Sequence, residues 1–268
     1  MENTKNTKNT KHTENKNNNV ILSARHLKKT FRSGDAEQTI INDLDLDICQ
    51  GDFTVIMGSS GAGKSTLLYA LSGMDKPTSG SITFCCEDIT SYNADKLAVF
   101  RRKHCGFVFQ QIYLLDKMSL MDNALTAGLL VGGKKKEIVR RAEALFAKVN
   151  LPEVTWRKLP SQISGGEAQR AGIVRAVINR PEVLFADEPT GALNSHNSDA
   201  VLNVFTELNR DGQSIIMVTH DKKSALRGSR IIYLRDGKIF GECDLGEYTP
   251  DNAERTGKLN AFLTEMNW

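Results

Sequence analysis

Residues 58–66 read GSSGAGKST, with glycines at 58, 61 and 63 followed at once by Lys64 and Ser65. The loop stands between the apolar run Phe53 to Met57 and the helix-like stretch Leu67 to Ser72. Gly58, Gly63, Lys64 and Ser65 satisfy G-x-x-x-x-G-K-[ST], a pattern that is informative only between a strand and a helix, the setting these flanks supply. Glycines let backbone N–H groups converge on phosphate oxygens without a Cβ in the way, and a helix N-terminus favours an anion. On this reading Gly58, Ser59, Ser60, Gly61, Ala62, Gly63, Lys64, Ser65 and Thr66 cradle a nucleotide. Lys64 neutralises its β and γ phosphates, and the Ser65 hydroxyl ligates Mg²⁺. A tight glycine turn with no ligand is the bland alternative.

The remaining sequence has to decide between the two. Its 268 residues are 40% hydrophobic and 25% charged, enough for one large domain or a core with a subdomain. The 35 basic and 32 acidic residues nearly cancel, so charge gives no reason to expect a nucleic acid or an anionic membrane. The five cysteines, at 49, 85, 86, 105 and 243, show no C-x-x-C spacing, and reduced thiols in a cytosolic protein are expected. No stretch approaches the ~18–20 apolar residues that span a bilayer, and the opening MENTKNTKNTKHTENKNNN lacks the apolar core of a signal peptide. Residues 1–19 offer nothing to bury and are expected to be a disordered tail.

From Val20 the pattern becomes strand-rich. Val20 to Arg25 is followed by a turn at Arg32 to Asp35 and by the alternation Leu44, Leu46, Ile48. The short apolar runs Val183 to Ala186, Ser214 to Thr219 and Arg230 to Leu234 read as buried parallel strands. Helices separate them, with Val201, Leu202, Phe205 and Leu208 on one face of Ser195 to Asn209. Between the sheet segments, Leu114 to Leu130 and Lys134 to Asn150 read as two helices with no strand between them. The fold expected is α/β: a parallel-sheet core, an antiparallel β subdomain at the N-terminus, and an inserted helical subdomain at about 112–165. A domain at 20–245 is then followed by an extension at 246–268.

A nucleotide held with Mg²⁺ needs carboxylates at the end of a buried strand, and VLFADEP at 183–189 supplies two. Asp187 can hold Mg²⁺, through water, and Glu188 can polarise an attacking water. The bland reading, exposed acids in a loop, must explain why an apolar run leads straight into them.

With these residues in hand, the segment ISGGEAQR at 163–170 resembles the signature motif of ATP-binding cassette proteins, and the resemblance runs from Val20 to about Phe240. It implies a P-loop NTPase core of RecA type. It also implies that Ser164, Gly165, Gly166 and Glu167 contact the γ-phosphate held by a second copy, so that two chains sandwich two ATP molecules. Gln110 in GFVFQQ is similar to the glutamine that senses Mg²⁺ and water, with Gln111 the lesser choice. His220 in VTHD resembles the switch histidine at the γ-phosphate, although a lone histidine is otherwise most often structural. Phe31 in KKTF sits where the family stacks an aromatic on adenine, with core packing as its alternative. Two departures stand out: Asn194 replaces the usual Asp after ADEPTGAL, and Glu167 and Ala168 replace the more frequent Gln pair.

The loop RSGDAEQT, the stretch FQQIYLLDKMSLMDNAL and FADEPTGAL are similar to the ATPases paired with FtsX-like permeases, among them macrolide exporters, lipoprotein-releasing complexes and bacitracin-resistance-type peptide transporters. This implies an ATPase at the cytoplasmic face of the membrane, held there by its permease and serving antimicrobial-peptide export or resistance. Transmembrane signalling through the same type of partner is the alternative, and a soluble cassette acting on DNA or ribosomes fits less well.

Overall fold

The computed structural model describes residues 20–34 and 36–268, so expectations for residues 1–19 lie outside the described part. β1 (Val20–Ser33) and β2 (Ala36–Cys49) form a long antiparallel hairpin. Sequence alone ends the first strand at Arg25, but register shifts around Leu27 carry it on to Ser33. His26, with φ of 47°, marks the bulge. β3 (Phe53–Met57) is buried throughout and leads through the glycine loop to α1 (Lys64–Leu71). β4 (Ser79–Phe84) and β5 (Glu87–Asp88) complete a four-stranded sheet in the order β2-β1-β4-β5. α2 (Ala94–His104), capped by Asn93, delivers the chain to β6 (Cys105–Phe109).

The inserted helices follow as α3 (Leu120–Leu130), α4 (Lys135–Lys148) and the short α5 (Glu153–Trp156). The first starts six residues later than its apolar pattern suggests. Ser119 caps it by accepting from the Asp122 N–H at 3.1 Å, and Asn123 ties down the preceding loop. Its side chain accepts from Leu115 N–H at 2.7 Å and donates to three carbonyls of residues 115–119. α6 (Gly165–Val177), β7 (Val183–Asp187), α7 (Ser195–Arg210), β8 (Ser214–Val218), α8 (Lys222–Ala225), β9 (Arg230–Arg235), β10 (Lys238–Asp244) and α9 (Ala253–Glu265) complete the chain.

The larger sheet runs β10-β9-β3-β8-β7-β6, parallel from β9 to β6 with β10 antiparallel at its edge. Alternate residues of its strands enter two different cores. Ile56, Phe185, Ile216 and Ile232 face α1 and the small sheet, whereas Val55, Leu184, Met217 and Ile231 face the other helices. Residues 246–268, expected as an extension, contribute α9, whose Leu259, Phe262 and Leu263 bury in the second of these cores. Arg255 fixes it by donating to the carbonyls of Leu226 at 2.8 Å and Leu245 at 2.7 Å.

Candidate functional site

Because the central strands are parallel, the chain leaves β3, β6, β7 and β8 on one edge of the sheet, and the glycine loop, Gln110, Asp187, Glu188 and His220 lie on those exits, with Phe31 added from β1. Gly58, Gly61 and Gly63 adopt φ of 151°, 80° and 97°. A Cβ at Gly58 would stand 2.2 Å from the Leu234 carbonyl oxygen, and one at Gly63 3.0 Å from that of Ile40, whereas at Gly61 it would meet open space. Gly63 caps α1 in left-handed conformation with no side chain closing the helix start. The first-turn N–H groups are therefore directed outward for a ligand. The Lys64 ammonium donates to the Gly58 and Ser59 carbonyls at 2.9 Å each, keeping the loop wrapped around its own charge. Burial lowers its pKa, against the pull of Glu188 and Asp187.

A cavity of about 420 Å³ opens over this loop, lined by Phe31, Ile40, Ser60, Lys64, Thr66 and Glu188. Phe31 is 47% exposed, which removes the core-packing alternative: its ring stands at the cavity mouth, with the Lys29 ammonium 4.8 Å from its centroid.

β7 ends at Asp187, whose carboxylate accepts from the Ser65 hydroxyl at 2.9 Å and from the Tyr69 hydroxyl at 2.7 Å. The donor set fits Mg²⁺: hard oxygens, one hydroxyl and one carboxylate, separated by about the edge of an octahedron with ~2.1 Å bonds. Tyr69 is absent from the sequence-derived candidates. Its signal was its place one helical turn beyond Ser65. Burial and the Asp187 carboxylate push its phenol far above its ordinary value.

Glu188 follows in left-handed conformation, φ 48°. Its carboxylate contacts His220 Nδ1 at 2.8 Å and accepts from the Thr219 hydroxyl at 3.3 Å, joining the exits of the adjacent strands β7 and β8. The His220 side chain is 70% exposed, so core packing does not account for it. Gln110 follows β6, whose Phe109 is in register with Asp187. Its amide packs so close to Gly191 that a Cβ there would lie 3.0 Å from Nε2. Gln169, also unanticipated, donates from α6 to the Phe109 carbonyl at 3.0 Å and so fixes the strand end that carries Gln110.

Residues 164–167 lie elsewhere, and none lines the cavity over the glycine loop. Ser164 caps α6 in a reciprocal box. Glu167 accepts from the Ser164 N–H and hydroxyl at 2.8 Å, while Ser164 Oγ accepts from the Glu167 N–H at 3.3 Å. Those two bonds to Ser164 lower the Glu167 pKa. Its carboxylate thus serves its own helix start, while Ser164 and Gly165 remain exposed. Gly166 is required by packing, since a Cβ would stand 2.6 Å from the Asn197 side chain. Asn194, at the departure noted above, caps α7 by accepting from the Asn197 N–H at 2.9 Å.

The family profile described as ABC transporter matches residues 41–191. The macrolide export ATP-binding/permease protein MacB of Bradyrhizobium diazoefficiens is 42% identical over 83% of the chain, which spans only 34% of that relative's length. The lipoprotein-releasing system ATP-binding protein LolD of Aquifex aeolicus is 40% identical over 83% of this chain and 97% of its own. Among solved structures, the ATP-binding cassette MJ0796, dimeric in a post-hydrolysis state with ADP and Pi, is 33% identical with a TM-score of 0.78. That match covers 85% of this chain and all of that one. In profile, sequence and architecture alike, the chain belongs to the ABC transporter family, as an ATP-binding cassette.

Proposed function

We propose that the chain binds ATP over residues 58–66 and hydrolyses it with Glu188 inside a dimer of two copies, driving an FtsX-like permease. The observation that carries this reading is that Lys64 and Glu188 line the same cavity. Phe31 stacks on the adenine, the loop N–H groups and Lys64 hold the phosphates, and Ser65, Asp187 and Gln110 would hold Mg²⁺. When bound, Mg²⁺ offsets the phosphate charge. Glu188 orients a water molecule and takes its proton as the water oxygen attacks the γ-phosphorus and the bond to the β–γ bridging oxygen breaks. His220, in contact with Glu188, orients that carboxylate and reaches toward the γ-phosphate.

The site is half complete in one copy. Ser164, Gly165 and Gly166 begin a helix that faces no part of their own cavity, so they are free to cover the γ-phosphate of a second copy. The dimeric state of the similar cassette supports this arrangement. ATP then closes the pair and hydrolysis reopens it.

The helical insertion supports a membrane partner, for it exposes Tyr113, Leu115, Met118, Leu129, Leu130 and Val131. Among the described residues no helix is long and apolar enough to cross a membrane. An FtsX-like permease would hold this cassette at the cytoplasmic face, and export of antimicrobial peptides or resistance to them is the function proposed. Lys64→Ala should abolish ATP binding. Glu188→Gln should keep binding but lower turnover by about 10²–10⁴-fold; a wild-type rate would remove Glu188 from the chemistry.

A further inference from the structure

The adjacent cysteines 85 and 86, for which the nucleotide site has no use, form the two-residue turn between β4 and β5. Both are left-handed, with φ of 50° and 65°. The turn sets Cys85 against two side chains from distant parts of the chain: His104, the last residue of α2, and Glu182, immediately before β7. Their sulfur, imidazole nitrogen and carboxylate oxygen all lie within 4.8 Å of one another, the one such grouping among the described residues.

His104 Nδ1 and Glu182 Oε2 stand 3.1 Å apart. These two atoms are shielded from solvent, yet neither makes a hydrogen bond among the described residues. An unsatisfied buried polar atom costs about 1–3 kcal/mol, so the pair lacks something that would occupy both lone pairs. Phe100 stacks on the imidazole at 4.6 Å between centroids.

A thiolate, an imidazole and a carboxylate are the ligand types of Zn²⁺. With bonds of about 2.0–2.3 Å, a tetrahedral ion separates its ligand atoms by about 3.3–3.8 Å, so the present spacing closes with movements of about an ångström. Binding a metal displaces the Cys85 thiol proton to solvent. We propose that Cys85, His104 and Glu182 form a three-ligand Zn²⁺ site, with water as the fourth ligand, that staples the small sheet to α2 and to the start of β7. At ~3.3 Å per residue along β7 the site is about 16 Å from Asp187, too far to take part in ATP hydrolysis.

The test uses the full chain, stripped with chelator and titrated with Zn²⁺ or Co²⁺. The wild type should take up one equivalent of Zn²⁺ and gain several degrees in Tm, and its Co²⁺ form should show a thiolate-to-metal charge-transfer band. Cys85→Ser and His104→Ala should each weaken Zn²⁺ uptake at least tenfold, and Cys85→Ser should abolish the band. Cys86→Ser should change none of these. ATP turnover at the wild-type rate certifies that each variant is folded, and Cys85→Ser decides the matter if His104→Ala does not fold. Failure of the wild type to bind Zn²⁺ at micromolar concentration, or stoichiometric uptake that survives Cys85→Ser, overturns the site.

Discussion

Alanine placed in turn at the three loop glycines separates backbone strain from steric contact. At Gly61, φ is 80° and a Cβ meets nothing within 4 Å. Left-handed backbone costs an L-residue roughly 1–2 kcal/mol, and loss of glycine's freedom in the unfolded chain returns about 0.4–1 kcal/mol. Gly61→Ala should therefore lower stability by only about 1 kcal/mol, or ~2–4 °C in Tm for a chain of this size. At Gly63, φ is 97°, and the added methyl stands 3.0 Å from Ile40 Cγ2, Ile40 O and Ile41 Cδ1. The two side-chain tips can yield, but the carbonyl cannot. Overpacking of this kind costs about 1–3 kcal/mol, so Gly63→Ala should lose about 3 kcal/mol and roughly 6–12 °C. At Gly58 the 2.2 Å approach to Leu234 O is too close to absorb without parting β3 from β9, and the variant should not accumulate as folded protein.

Thermal denaturation of the nucleotide-free protein measures the ladder, and isothermal titration with ATP measures the second half of the expectation. Gly61 lines the cavity, so its methyl subtracts ligand space. ATP affinity should fall at least tenfold there, equivalent to ~1.4 kcal/mol, despite the small loss of stability. Equal stability for Gly61→Ala and Gly63→Ala, or undiminished ATP affinity in both, would refute this account of the loop.

Phe31→Ala removes a ring that contributes nothing to the core. It should leave Tm within about 2 °C and weaken ATP by roughly two- to tenfold while leaving inorganic tripolyphosphate unaffected, a loss of the ~0.5–1.5 kcal/mol typical of aromatic pairs. Equal weakening of both ligands would place Phe31 outside the adenine subsite. His220→Ala should reduce steady-state phosphate release by about 10²–10³-fold with ATP affinity within threefold, since the imidazole contacts Glu188 at 2.8 Å and is otherwise exposed; a loss confined to affinity would contradict that role. Glu167 has a folded pKa below its unfolded value of about 4.3. Its contribution is therefore present above that pH and lost as pH falls through the lower folded value. Glu167→Gln should destabilise the protein at pH 7 and converge with wild type in acid, as denaturant midpoints measured across pH would show.

The glycine loop and the carboxylates at the end of β7 were legible because local chemistry dictates them: a strand too apolar to end elsewhere, then residues with only one compact use. The apolar runs of β8 and β9 were visible for the same reason. What stayed hidden depends on neighbours that sequence distance conceals. β1 continues past Arg25 only because bulges absorb its register shifts. The start of α3 is set by Ser119 and Asn123, not by the apolar pattern at 114–118. α9 buries just three apolar side chains among polar ones, so its docking surface, β10 and the α8 region, has to be known before its helix can be read. Tyr69 and Gln169 reach the site by folding alone, and on the proposed reading the covering half of the nucleotide site comes from a second copy.

That last point is the most exposed part of the account. The mass of Glu188→Gln in solution, measured by light scattering with Mg–ATP and again with Mg–ADP, addresses it directly. If Ser164 to Gly166 of one copy close over the ATP held by Lys64 of another, the mass should double with ATP and return to that of a single chain with ADP. A protein that binds ATP yet keeps the mass of one chain at every concentration tested would contradict the sandwich.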